Sequence, residues 1–188
     1  LVTGAKDDEI LIWQNKLKSD ETNELNIPGN PNARFSQISS DRIGVLIPFR
    51  DKFAVYNLED FSLEQDITAS INSSMPENIQ SSSFVMKPAL LAAAYAVNKV
   101  RIISANQEVR DFEVGTSKIR NLQFSRNAKL LVVANDAGVI NVFEIETGKI
   151  IHKLNTGESV RRVTISNDGS ILFCNKSDRT YSSWDLST

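Results

Sequence analysis

Two residue types that carry much of protein chemistry are nearly absent from this sequence: its 188 residues include one cysteine, Cys174, and one histidine, His152. A single cysteine excludes any intrachain disulfide, and nothing else points to an oxidising compartment. A metal centre built from His and Cys ligands cannot be assembled from this chain. A Ser-His-Asp or Cys-His nucleophile would have to use His152, which falls in a strand pattern away from any nucleophile. The eight glycines form no GxGxxG or phosphate-loop spacing. No apolar run approaches the length of a membrane span, and no signal-peptide pattern opens the chain. A net charge of −2 argues against a protein that coats nucleic acid. The expectation is a soluble intracellular protein, of the cytoplasm or nucleus, with no cofactor, no metal, no membrane insertion and no enzymatic activity.

What the sequence does contain is a repeat. Composition is that of a globular domain, with 41% hydrophobic and 23% charged residues. Ser125–Glu144 (SRNAKLLVVANDAGVINVFE) and Ser166–Asp185 (SNDGSILFCNKSDRTYSSWD) align without a gap at an offset of 41 positions. The same closing beat occurs at Trp13, Tyr56, Ile103, Phe143 and Trp184, separated by 43, 47, 40 and 41 residues.

Each unit carries the pattern of a four-stranded antiparallel blade. Before each closing residue apolar side chains alternate, as in Ile10/Ile12, Phe53/Val55, Val100/Ile102 and Ile140/Val142, which suits a third strand. Upstream lie short continuous apolar runs, VLI at 45–47, LLAAA at 90–94, LLVVA at 130–134 and ILFC at 171–174, which suit second strands covered on both faces. First strands are read at 33–39, 81–85, 119–125 and 160–166. Fourth strands are read at 66–71 (DITASI), 109–114 and 150–155. The segments 16–32 and 72–83, rich in Asn, Ser and Pro, read as loops. The Asn72-Ser-Ser triplet fits the glycosylation pattern, although that motif is common by chance.

With Leu1–Gln14, the hairpin Phe143–Leu154 and the segment Ser166–Asp185, the chain resembles the WD-repeat family of β-propellers. The resemblance spans the whole sequence. Asp7 and Asp178 match the family's turn Asp, six residues before the Trp, while the family's Gly-His pair is missing from every unit. The resemblance implies an all-β propeller with about five blades represented, three whole and two partial, in one segment spanning 1–188. Because the chain opens and closes inside a blade, it is expected to be a portion of a longer polypeptide whose ring is larger, of seven blades rather than five. It implies a scaffold mediating protein–protein interactions within a multiprotein complex.

The repeat also nominates a surface. Arg120 and Arg161 hold equivalent places at the start of a first strand, and Arg34 falls there if one deletion is allowed. Arg50 and Arg179 occupy or adjoin the turns between second and third strands, and Arg162 flanks Arg161. In the WD-like arrangement these places share one rim, so the six arginines are candidates for binding an acidic or phosphorylated peptide segment. The alternative for each is solvation or pairing with Asp7, Asp51, Asp136 or Asp178 of the same turns. A second functional reading is a subunit associated with nucleic acid, in RNA processing or ribosome assembly, using the arginines on phosphates.

Three local expectations follow. Leu131, Val133, Leu172 and Phe173 should line inner or interblade surfaces. Asp178 should cap its turn by accepting backbone N–H groups, whereas Ala137 at the same place one repeat earlier cannot, and Asp136 beside it is expected to substitute. Cys174 should be a buried, inert thiol.

Overall fold

The computed structural model describes the strands within 2–4, 9–12, 23–26, 34–38, 42–47 and 52–57, residue 60 and residues 62–187, with side chains from Phe53 onward. Five antiparallel sheets follow one another along the chain, each with its strands in sequence order. The first holds β1 (Val2–Gly4), β2 (Glu9–Ile12) and β3 (Asn23–Asn26); the second holds β4 (Arg34–Ile38), β5 (Arg42–Ile47) and β6 (Lys52–Asn57). Then come two four-stranded sheets, β7 (Ser81–Met86) to β8 (Ala89–Tyr95), β9 (Lys99–Ser104) and β10 (Val109–Glu113), and β11 (Ile119–Phe124) to β12 (Leu130–Asn135), β13 (Val139–Glu144) and β14 (Ile150–Asn155). The last has β15 (Val160–Ile165), β16 (Ile171–Lys176) and β17 (Tyr181–Asp185).

Two readings of the sequence are corrected. DITASI is not a strand: Gln65–Asn72 forms a helix, α1, where the second blade's fourth strand was expected, preceded by a single bridge from Leu63 to Tyr56. Ile67, Ala69 and Ile71 alternate as a strand would, yet Ile67 and Ile71 also stand one helical turn apart. Ile71 is fully buried in a cluster with Phe53, Val55, Phe84, Leu91 and Ile103. The turn of helix puts Thr68 beneath it, where its Oγ1 accepts the Val55 N–H at 3.1 Å, serving the edge that a fourth strand would have paired. The stretch 16–32, read as a loop, contains β3, antiparallel to β2.

Sheets three to five stack face to face. One side of the fourth sheet, with Leu131, Val133 and Phe143, packs on Ala92, Val100 and Ile102 of the third. The other side, with Val132, Ala134, Ile140 and Val142, packs on Val163, Leu172 and Cys174 of the fifth. Continuous apolar runs are needed because a strand in the middle of such a stack has no wet face. Leu131, Val133 and Leu172 are therefore buried as expected, but Phe173 is 45% exposed. It is the equivalent of Val132, and its side of the fifth sheet has no further sheet against it among the described residues.

First strands β7, β11 and β15 pack side by side, while the fourth strands β10 and β14 are mostly exposed. This is propeller order, with first strands inside and fourth strands outside. Side chains tie successive first strands together: Ser83 Oγ accepts the Phe124 N–H at 3.0 Å, and Asn121 Oδ1 accepts the Val163 N–H at 3.0 Å.

Candidate partner-binding rim

The pairing of β11 with β12 shifts between Ile119 and Asn121, and that of β15 with β16 shifts between Val160 and Arg162. The extra residue is Arg120 in one strand and Arg161 in the other. A bulge leaves its residue out of the ladder and re-aims its side chain. These two arginines thus share a backbone device as well as an alignment. In β4 the shift falls between Phe35 and Gln37, so Ser36 rather than Arg34 holds the bulge.

Each bulge lies beside a turn of its own blade. The Asp136 N–H donates to Lys118 O at 3.0 Å, and one repeat later the Ser177 N–H donates to Ser159 O at 2.8 Å. The entry to the first strand and the turn between second and third strands therefore meet on one rim in both blades. The blades are locked together there too. The Thr156 N–H donates to Gly138 O at 2.9 Å, and a Cβ at Gly138 would stand 2.6 Å from Glu158 O, with φ of +79° disfavouring any side chain as well. This close approach fixes the approach to Ser159 and β15.

Between the two blades Arg120, Arg161, Ser159, Val160 and Ser177 line a cleft of about 460 Å³. Arg120 Nη2 lies 3.9 Å from Asp136 Oδ2 in a half-exposed pair. Such a pair is worth little in water. In the next blade the place of Asp136 is taken by Ser177, a hydroxyl instead of a carboxylate. Among the described residues Arg161 is exposed and has no carboxylate partner.

The other candidates are not gathered in the cleft. Arg162 pairs with Asn175 across β15 and β16 and shares with Thr164 and Phe173 the sheet face that no other sheet covers among the described residues. Arg179 is exposed in the β16–β17 turn at φ +70°, two residues past Ser177. The side chain of Arg34, all of Arg50, and Asp7 lie outside the described residues. Ser159 and Ser177 were not singled out in the sequence; the same offset of 41 that matches the arginines would have set them beneath Lys118 and Asp136.

Asp178 caps as expected, its Oδ1 accepting the Thr180 N–H at 2.9 Å and hydroxyl at 2.7 Å, which holds its carboxyl below the usual range. One repeat earlier the cap is Asn135 and not Asp136: Asn135 Oδ1 accepts the N–H groups of Ala137 at 3.1 Å and Val139 at 2.9 Å, leaving Asp136 to face Arg120. Cys174 is fully buried, and burial pushes its thiol up.

Comparison with known proteins agrees with this geometry. The family model described as the anaphase-promoting complex subunit 4 WD40 domain matches residues 106–168. No curated protein sequence matches the chain. Many solved structures do, among them Hsv2 of Kluyveromyces lactis, with a TM-score of 0.70 at 13% identity over 96% of this chain and 56% of that one. The chain thus spans little more than half the length of that structure, and at this identity the likeness concerns the fold. The repeat, the stacked antiparallel sheets and both matches identify the fold as a β-propeller, similar to that of WD40 domains.

Proposed function

We propose that this chain is a non-catalytic scaffold that holds partner proteins within a multiprotein complex, and that acidic partner segments engage the rim bearing Arg120 and Arg161. The fold itself favours protein interaction, offering a rigid stack of sheets with turns displayed on two rims. The observation that carries the rim assignment is Arg161, an exposed residue that has no carboxylate partner among the described residues, whereas its equivalent Arg120 faces Asp136 and the place of Asp136 is here taken by Ser177. The matched family model is named for a subunit of a complex, which supports an assembly role. A scaffold with one buried thiol suits a reducing intracellular compartment.

The test is affinity capture with the intact protein after nuclease treatment, across a series of salt concentrations. Defined protein partners retained at moderate salt are expected. Recovery of nucleic acid alone, with binding that collapses steeply as salt rises because phosphate contacts release counterions, would replace this reading with the nucleic-acid one.

A further inference from the structure

We propose that the cleft between the fourth and fifth blades is a phosphate-binding site, taking a phosphorylated side chain from a partner polypeptide; this rests on the scaffold reading and narrows it. Arg120, Arg161, Ser159 and Ser177 line it together with fully buried Val160, bringing two guanidinium-bearing and two hydroxyl-bearing residues to one cleft. All four can donate hydrogen bonds, which is the donor set a phosphate with three acceptor oxygens requires.

Asp136 decides between phosphate and carboxylate. It already faces Arg120 at 3.9 Å, so an incoming Asp or Glu side chain would compete with it charge for charge. A phosphorylated residue brings roughly −1.5 to −2 charges and can engage both arginines while Asp136 stays in place. Ser177, standing where the other blade has Asp136, removes the second competitor.

Carboxylates next in sequence to the lining residues favour an isolated phosphate over a polyanion. Glu158 precedes Ser159 and Asp178 follows Ser177, both exposed. A nucleic-acid backbone crossing the cleft would carry its neighbouring phosphates past these carboxylates. A single phosphorylated side chain would not.

Amide chemical shifts of the intact protein, titrated with capped phosphoserine, capped glutamate, inorganic phosphate and a short oligothymidylate, test this. Capped phosphoserine should perturb Arg120, Asp136, Ser159, Arg161 and Ser177, and bind at least about tenfold more tightly than capped glutamate, the factor expected of one additional charge-assisted contact. Arg161→Gln should lose about that factor, while Asp136→Asn should bind more tightly than the parent, a gain that misfolding cannot imitate. Equal binding of glutamate, tighter binding of oligothymidylate, inorganic phosphate binding as tightly as phosphoserine, or shifts elsewhere would each overturn the proposal. If phosphoserine fails while partners still co-purify, the phosphate site falls and the scaffold reading stands.

Discussion

Asn72 and Phe53 face each other as two strands would: the Asn72 side chain accepts the Phe53 N–H at 2.8 Å through Oδ1 and donates to Phe53 O at 2.9 Å through Nδ2. A helix side chain has taken over one residue's worth of sheet ladder. Edge strands leave such groups open unless something covers them, and here Asn72, one turn after Thr68, supplies the cover.

Asn72→Ala should therefore destabilise the protein by about 1–3 kcal/mol, since it leaves both polar groups of a buried residue's backbone unserved. Urea unfolding measures this, and an unchanged midpoint would mean that water replaces Asn72 without cost. The same contact occupies the amide nitrogen that glycosylation would need, so the folded protein should not accept a glycan at Asn72 despite its Asn-Ser-Ser triplet.

Neighbours in one strand should respond oppositely to truncation. Leu172 is fully buried between blades and Phe173 is 45% exposed. Leu172→Ala should cost roughly 2–5 kcal/mol, whereas Phe173→Ala should cost only a small fraction of that, chiefly its stacking on Tyr181 at 5.5 Å. Equal losses would show that the exposed side is covered in solution.

Asn141 lies buried in β13 with Oδ1 unpartnered among the described residues. A buried acceptor without a donor costs about 1–3 kcal/mol, so Asn141→Val should be neutral or stabilising in thermal unfolding. A marked fall would reveal an internal water bound to Oδ1.

Asp168 gives the clearest pH signature. Its Oδ1 accepts from the Ser166 hydroxyl at 2.6 Å and the Ser170 N–H at 3.1 Å, and these bonds lower its pKa from 3.8 to about 2. Because the folded state binds this proton more weakly than the unfolded chain, the stabilisation is complete above the ordinary carboxylate range, about pH 4, and is lost as pH falls through about 2. Asp178 and Asp185 are lowered in the same direction by their own turns. Asp168→Asn should flatten, without abolishing, the acid limb of stability against pH. An acid limb identical to the parent's would remove Asp168 from this role.

Strands were legible wherever one pattern had one solution. Alternation at Val100/Ile102 and Ile140/Val142, and β-branched runs such as LLVVA repeated at a fixed offset, favour strands covered on both faces. DITASI was misread because Ile67 and Ile71 satisfy both periods, and burial against Phe84 and Leu91 chose the helix. Phe173 is exposed because no further sheet lies on its face among the described residues, which the strand pattern alone does not reveal. The matched pair Arg120 and Arg161 was legible from the offset alone. Arg162 was not separable from Arg161, since a bulge is a property of pairing and leaves no mark on composition. The Asn135 cap escaped for a similar reason: the turn is shifted by the residue that the family pattern fills with Asp.

That difference between adjacent arginines provides the most direct test of the rim. Arg161 is the bulge residue in the cleft and Arg162 lies on the sheet face beside Asn175. Partner retention by the intact protein should be compared for Arg161→Gln and Arg162→Gln, at matched expression and thermal stability. Arg161→Gln is expected to release partners at salt concentrations where Arg162→Gln and the parent still hold them; equal retention by all three, or release by Arg162→Gln alone, would contradict a partner-binding role for the rim.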